Sequence, residues 1–484
     1  MRIENVPLTT RLRPTMSLLG KSRIVRCALF VATLTLLLSS PAALAGGFMR
    51  PYAIRADRVV PDVGPGTTAH FGCELRSFSD PTGRIPCYGP EAIRKAYRLD
   101  ELIAKGFTGT GQTIVIIDAF GSPTLRADLD AFDAIFGVPA PPSLTEIHMP
   151  GSQPFDFTDD NQLGWAEETS LDVQWAHAIA PGAKIIVVES VDNSDAAILD
   201  AQNFAIEGRL GFIISESFGE SELALLQDGA EGAQILSDNE KSYKRARSRK
   251  MSVLVSAGDS GSAGTDINGN LVPVPVAFYP ASSPNVTTVG GTNLFFGTAT
   301  HADPNGTYQG ELVWNDGAGA GGGGVSQHFK LPNFQQDGLP RATRKSLNGF
   351  RGYPDVAYNG GVFGGVIVHL GFLDTAFGPG NNGFFIFGGT SAGAPQWAGV
   401  TALATQVARR PLGFLNKRLY GLGAEGALAG LMHDVTLGDN SFAGIPGFSA
   451  TSGWDLATGW GTPDFGLRIS ILSSMGDDDG MSDP

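Results

Sequence analysis

Three short segments carry residue types at spacings that could do chemistry. In Glu167-Glu-Thr-Ser-Leu-Asp172, Glu168 and Asp172 stand four residues apart. On a helix that spacing puts both carboxyls on one face, about 5–6 Å apart at Cβ. Like charges so close resist double ionisation and can share one proton. Such a pair could act as a base in acid, where histidine is protonated. Read alone, it is more simply two solvated helix acids, since carboxylates at this spacing are common. Gly388-Gly-Thr-Ser-Ala-Gly-Ala-Pro395 displays Ser391 in a turn of small residues, ahead of the helical run 396–408. A peptide backbone can approach such a turn, and a helix N-terminus favours negative charge on an attacked carbonyl. A serine there can also be a plain N-cap. Val255-Ser-Ala-Gly-Asp259-Ser-Gly261 sets Asp259 in a Gly-flanked turn after an apolar strand, where parallel sheets concentrate functional groups. Protonated, Asp259 could donate to an oxyanion; as a turn acid it could cap the next helix.

The elements that must hold these segments are legible as an alternation. The sequence predicts strands at 112–118, 184–188, 212–215 and 252–256, and helices at 92–97 and 125–136. Short apolar runs separated by helical stretches mean βαβ units, an α/β fold with a parallel sheet covered on both faces. Six basic residues between 240 and 250 read as the solvated face of a helix. The Gly-rich stretch 317–324 lacks the GK[ST] ending of a phosphate loop. One large domain over 89–474 is the economical reading, followed by an acidic tail, 475–484.

Composition excludes classes. With 484 residues, 17 % charged and 42 % hydrophobic, the chain is neither disordered nor fibrous. A formal charge of −14 gives no basic surface for nucleic acid. Six basic residues before position 27, an apolar run at 28–38 and Ala43-Leu-Ala45 are the parts of a secretory signal, residues 1–45. Its removal leaves 28 basic against 47 acidic residues, a net of −19, and leaves two cysteines. In an exported chain Cys73 and Cys87 pair most simply as one disulfide, with two free thiols as the alternative. Nothing downstream reads as a transmembrane span.

Taken in order, Glu168-x-x-x-Asp172, Ser-Ala-Gly-Asp259-Ser-Gly and Gly-Thr-Ser391-Ala-Gly-Ala-Pro resemble the three signatures of the sedolisins, the serine-carboxyl peptidases. The likeness runs over about residues 90–472 and continues through Gly323-Gly-Val-Ser326, Gly352-Tyr-Pro-Asp-Val356 and Gly453-Trp-Asp-Leu-Ala-Thr-Gly459. It implies a subtilisin-like three-layer fold with a seven-stranded, mainly parallel sheet. It also implies peptide-bond hydrolysis in acid, with Ser391 as nucleophile, Glu168 as base and acid, Asp172 as its proton-sharing partner and Asp259 in the oxyanion hole. Ser215-Glu-Ser-Phe-Gly219 resembles the wall on which the family pairs its substrate. Asp118 matches a position where the family often carries a Glu beside the catalytic residues, and its part stays open. A structural Ca2+ is implied, held by the carboxylates of Asp434 and Asp455 and the carbonyls of Val435, Thr451 and Gly453, a hard-oxygen set. From composition alone these are equally turn acids.

The signal segment implies a secreted protein, extracellular or periplasmic. The resemblance implies a monomer acting on peptide or protein substrates, with no nucleic acid or membrane partner after signal cleavage. Sedolisins usually carry a large folded pro-domain, whereas residues 46–88 read as an extended arm too short for one. Either the inhibitory domain is dispensed with or the arm substitutes for it. Two rival readings fit less well. A Ser-His-Asp triad on Asp118 and Ser391 lacks a histidine in Gly-His-Gly-Thr context, since His148 and His177 do not stand in one. A peptide-binding domain without catalysis would need none of the four residues.

Overall fold

The computed structural model describes residues 48–64, 69–77, 84–296 and 306–473. The segment read as a signal and the acidic tail lie outside the described residues. Seven parallel strands form the centre: β1 Thr113–Ala119, β2 Leu144–His148, β3 Lys184–Ser190, β4 Ile213–Glu216, β5 Ser252–Ser256, β6 Thr287–Phe296 and β7 Val356–Asn359. Their order across the sheet is β2-β3-β1-β4-β5-β6-β7. An antiparallel strand, Tyr308–Val313, pairs with the far half of β6. The expected seven-stranded parallel sheet is therefore present, with this one addition.

Alternation along β1 explains the layers. Side chains on a strand point alternately to opposite faces. Ile114 and Ile116 join the core under α1 Leu125–Phe136, α2 Asp160–Ile179 and the later helix Gly393–Ala408. Val115 and Ile117 join the core under α3 Asp195–Gly208 and α4 Ala230–Ser248. A strand covered twice reads as an unbroken apolar run, which is why it was recognisable. Each large side chain so buried contributes on the order of 1.5–3 kcal/mol.

The arm is more structured than its composition suggests. Arg50–Pro51 pairs antiparallel with Phe218–Ser221. Ile54–Val59 pairs antiparallel with Gly383–Gly388, which pairs in turn with Gly365–Leu370. Cys73 and Cys87 form a disulfide, Cα to Cα 5.2 Å, and pack with Phe71, Ile367 and Ile386 in a small core of their own.

Candidate active site

Helix α2 is built to bury acids. Asp159 caps its start by accepting the Asn161 N–H at 2.9 Å, and the helix stops at Ile179, two residues before Pro181, where proline disfavours helix. It is buried nearly all round, so the four-residue spacing carries Glu168 and Asp172 inward, both without solvent exposure. Asp118, at the carboxyl end of β1, is equally buried and raises the cost of ionising Asp172. Burial pushes the Glu168 carboxyl up to about 8; hydrogen bonding with Ser391, with the Ala53 and Tyr52 amides and with Asp172 pulls the other way. Asp172 is raised well above the usual carboxylate range by burial first, then by Asp118 and Glu168. Asp118 is raised by burial and then by Glu168. These carboxyls form a proton reservoir.

Ser391 lies in a short turn, Thr390–Ala392, directly ahead of α5 Gly393–Ala408. Its hydroxyl donates to the Ser217 carbonyl at 3.4 Å, and the helix start carries no side-chain cap bond. The N-cap reading of Ser391 is thereby removed. Pro395 sits in the first turn of α5, where no helical N–H is lost.

Asp259 follows β5 and is fastened from one side only. Thr390 donates its N–H and its hydroxyl to Asp259 Oδ1, at 2.7 and 2.8 Å. The Gly258 N–H donates to the same Thr390 hydroxyl at 3.0 Å. Oδ2 is buried without a hydrogen-bond partner and lies against Gly389, 2.6 Å from where a Cβ there would be. Gly389 has φ +108°, so glycine answers both the backbone and the approach. Burial raises Asp259 well above the carboxylate range against the Thr390 bonds, with a further push from Glu168. A carboxyl kept protonated can donate to a developing oxyanion.

Three of the described histidines are engaged elsewhere. His177 Nε2 lies 3.2 Å from Asp133 Oδ1, both buried, His369 Nδ1 is 3.0 Å from Asp128 Oδ1, and His148 pairs with Glu189. The four candidates Glu168, Asp172, Asp259 and Ser391 come together. Sequence reading missed Thr390, whose only signal was its place beside Ser391, and the amides of Tyr52 and Ala53. Each donates to Glu168 Oε2 at 2.7 Å.

The five residues proposed for calcium form a second cluster. Asp434 Oδ2 accepts the Gly453 N–H at 2.9 Å, and Asp455 Oδ2 accepts the Thr451 N–H at 2.7 Å. Val435 is buried beside them. Among the described residues no three His, Cys, Asp or Glu side chains could hold a metal together. A cation here would take most of its ligands from carbonyls, which suits a hard ion.

Comparison with known proteins shows the family. Residues 160–418 match the Subtilase family. The chain is 33 % identical over 435 residues to kumamolisin of Bacillus sp. (strain MN-32), covering 85 % of this chain and 71 % of that protein. It is 28 % identical over 385 residues to sedolisin of Pseudomonas sp. (strain 101), and 30 % identical over 329 residues to human tripeptidyl-peptidase 1. Those matches cover 76 % and 63 % of this chain, and only 59 % and 51 % of the relatives. The solved structure of Pseudomonas sedolisin, a serine-carboxyl proteinase complexed with two molecules of pseudo-iodotyrostatin, superposes with TM-score 0.65 at 26 % identity, covering 81 % of this chain and 99 % of that one. The chain belongs to the sedolisin family of serine-carboxyl peptidases, on the subtilase scaffold.

Proposed function

We propose that the protein is a secreted peptidase that hydrolyses peptide bonds in acid through a Ser391 acyl-enzyme. One observation carries the reading: a buried carboxyl, Glu168, rather than a histidine, accompanies the Ser391 hydroxyl, with Asp172 beside it. Ser391 Oγ attacks the substrate carbonyl while Glu168 takes its proton and Asp172 shares the charge. Glu168 then returns a proton to the leaving amine. Asp259, still protonated, and the N-terminus of α5 receive the oxyanion. Water repeats the sequence to release the acid. Activity should fade as pH rises, because Asp259 and the Glu168–Asp172 pair must each keep a proton.

Glu168→Gln is the test. It keeps the shape and removes the base, and is expected to lower kcat at acidic pH by about 10²–10⁴-fold. A variant with full activity would return the base to another residue.

The reading extends to a structural Ca2+ held by Asp434, Asp455 and the carbonyls of Val435, Thr451 and Gly453. A cation there would tie the 451–455 turn to Asp434. Chelation is then expected to lower the melting temperature, with recovery on adding Ca2+ but not Mg2+. Export is supported by the signal-type segment and the disulfide. Among the described residues no helix is long and apolar enough to cross a membrane. Substrates are peptides or proteins, and the enzyme acts as a monomer.

A further inference from the structure

Asp259 and Ser391 belong to two turns far apart in sequence. Thr390 joins them through two bonds that meet on one oxygen, Asp259 Oδ1. Bonds that converge on a single atom hold a distance and leave the carboxyl free to swing about it. A third turn supplies the missing constraint. After the antiparallel strand Tyr308–Val313 the chain folds back at 314–320 over the base of the Asp259 turn. There the Asp259 carbonyl accepts the Ala320 N–H at 3.0 Å, and Ser260 pairs with Ala320. Trp314 is fully buried and lies against Gly291 and Gly319.

From this turn the half-buried Asp316 reaches the other way. Its Oδ1 accepts the Ala318 N–H at 3.2 Å and closes its own turn. Its Oδ2 accepts the Phe363 N–H at 2.8 Å and one hydrogen of the Asn293 side-chain amide at 3.3 Å. Asn293, on β6, also donates to Phe363 O at 3.0 Å, so the two side chains grip both main-chain polar groups of Phe363. The loop 360–364 held in this way follows β7. At its start the Gly360 carbonyl accepts the Gly389 N–H at 2.8 Å, and further on Val362 packs on Gly388 with no room for a side chain there. Gly388 and Gly389 lead directly into Thr390 and Ser391. The bonds therefore form a ring: Asp316 to the loop, the loop to Gly389, Thr390 to Asp259, and Asp259 through Ala320 back to the turn of Asp316.

An acid that only closed its own turn would need the Ala318 N–H and nothing more. We infer that Asp316 is a positioning residue of the peptidase, closing the ring that sets the Asp259 carboxyl at a fixed angle to the Ser391 hydroxyl. The inference rests on the peptidase reading above and adds a residue that acts through those two groups. The titratable groups that face Asp259 are Glu168 from α2, Asp316 from this turn and Tyr52 from the arm, a phenol held neutral by burial first and then by Asp259. After burial, Glu168 and then Asp316 add to what keeps Asp259 protonated. Geometry and charge thus act in the same direction.

Asp316→Asn in the full chain, assayed on a peptide substrate across acidic pH, tests this. The amide keeps the size but cannot accept at both ends, since its Nδ2 would meet a backbone N–H donor to donor. At about pH 4 kcat is expected to fall about tenfold to a hundredfold, because a small misplacement of reacting groups lowers rate. KM should change less than about threefold. The alkaline limb of the profile should also move to lower pH, because Asp259 without that negative neighbour gives up its proton sooner. Asn293→Ala, which weakens the same grip on Phe363 and keeps the charge, should lower kcat and leave the limb in place. A folded Asp316→Asn chain with unchanged kcat and an unmoved limb overturns the inference and leaves the peptidase reading standing, even if it melts lower. Should that variant fail to fold, unchanged kcat in Asn293→Ala overturns it instead. An unsubstituted chain that cleaves no peptide in acid overturns the peptidase reading and the inference with it.

Discussion

Ser391→Ala is expected to lower kcat for peptide hydrolysis in acid by at least about 10⁴-fold while leaving the protein folded. Activity falls so far because the attacking atom itself is removed, and what remains is what Asp259, the α5 terminus and substrate positioning supply without it. Stability should scarcely change. Besides its interaction with Glu168, the hydroxyl makes a long bond to Ser217 O, 3.4 Å, worth no more than about 1 kcal/mol, and it caps no helix. Measuring kcat beside the thermal midpoint separates the two effects. A loss under tenfold with an unchanged midpoint would remove Ser391 from the chemistry.

The second large effect is on stability, with acid as the stabilising condition. Burial pushes Glu216 up to about 7 despite its bond from Tyr243, and pushes Glu167 to about 7 despite Arg55. Glu168 stands at about 8, and Asp118, Asp172 and Asp259 are raised as well. In the unfolded chain these groups give up their protons near about pH 4–4.5. From there to about pH 8 the folded state binds more protons than the unfolded one, so stability falls as pH rises. One carboxyl moved from 4.5 to about 7, as Glu216 is, is unfavourable by about 3 kcal/mol at neutral pH. Half-buried acids held low by their bonds, Asp374 and Asp439 among them, act oppositely but only below the ordinary carboxylate range. Unfolding of the Ser391→Ala chain, which cannot digest itself, should therefore show a midpoint several degrees lower or more at pH 8 than at about pH 4–5. A midpoint that rises over that interval would contradict the raised carboxyls.

What the sequence disclosed of this arrangement follows from which signals are local. The i,i+4 acids, the small-residue turn around Ser391 and the Asp259 turn are each fixed within six or eight residues, so spacing alone presents them. Strands β1, β3, β4 and β5 each carry an unbroken apolar run because both faces are covered. Strand β2 was passed over because Leu144–His148 alternates at a sheet edge. Strand β6 was passed over because Gly290 and Gly291 interrupt its apolar run. The arm was least legible. Its strands are short, its partners lie some 170 to 330 positions away, and nothing in Arg50-Pro-Tyr-Ala53 says that a backbone amide will meet Glu168. Thr390 was hidden for a related reason, since a hydroxyl that steadies a distant aspartate has no periodicity to announce it.

The stretch 317–324 looks, by composition, like the part of the chain with the least to say. In the fold it is packed backbone to backbone under the turn that aims Asp259. The Ala320 N–H donates to Asp259 O at 3.0 Å, and the Gly322 N–H donates to Gly258 O at 2.7 Å. A Cβ on Gly322 would fall on the Ala257 carbonyl, and one on Gly323 on that of Leu456. Even alanine must displace main chain, a strain of about 1–3 kcal/mol, and the displacement would propagate to an acid whose aim matters to a fraction of an ångström. The segment written in the simplest alphabet thus has the least freedom to drift over generations, and a collection of random variants should find it emptier of survivors than the apolar strands around it.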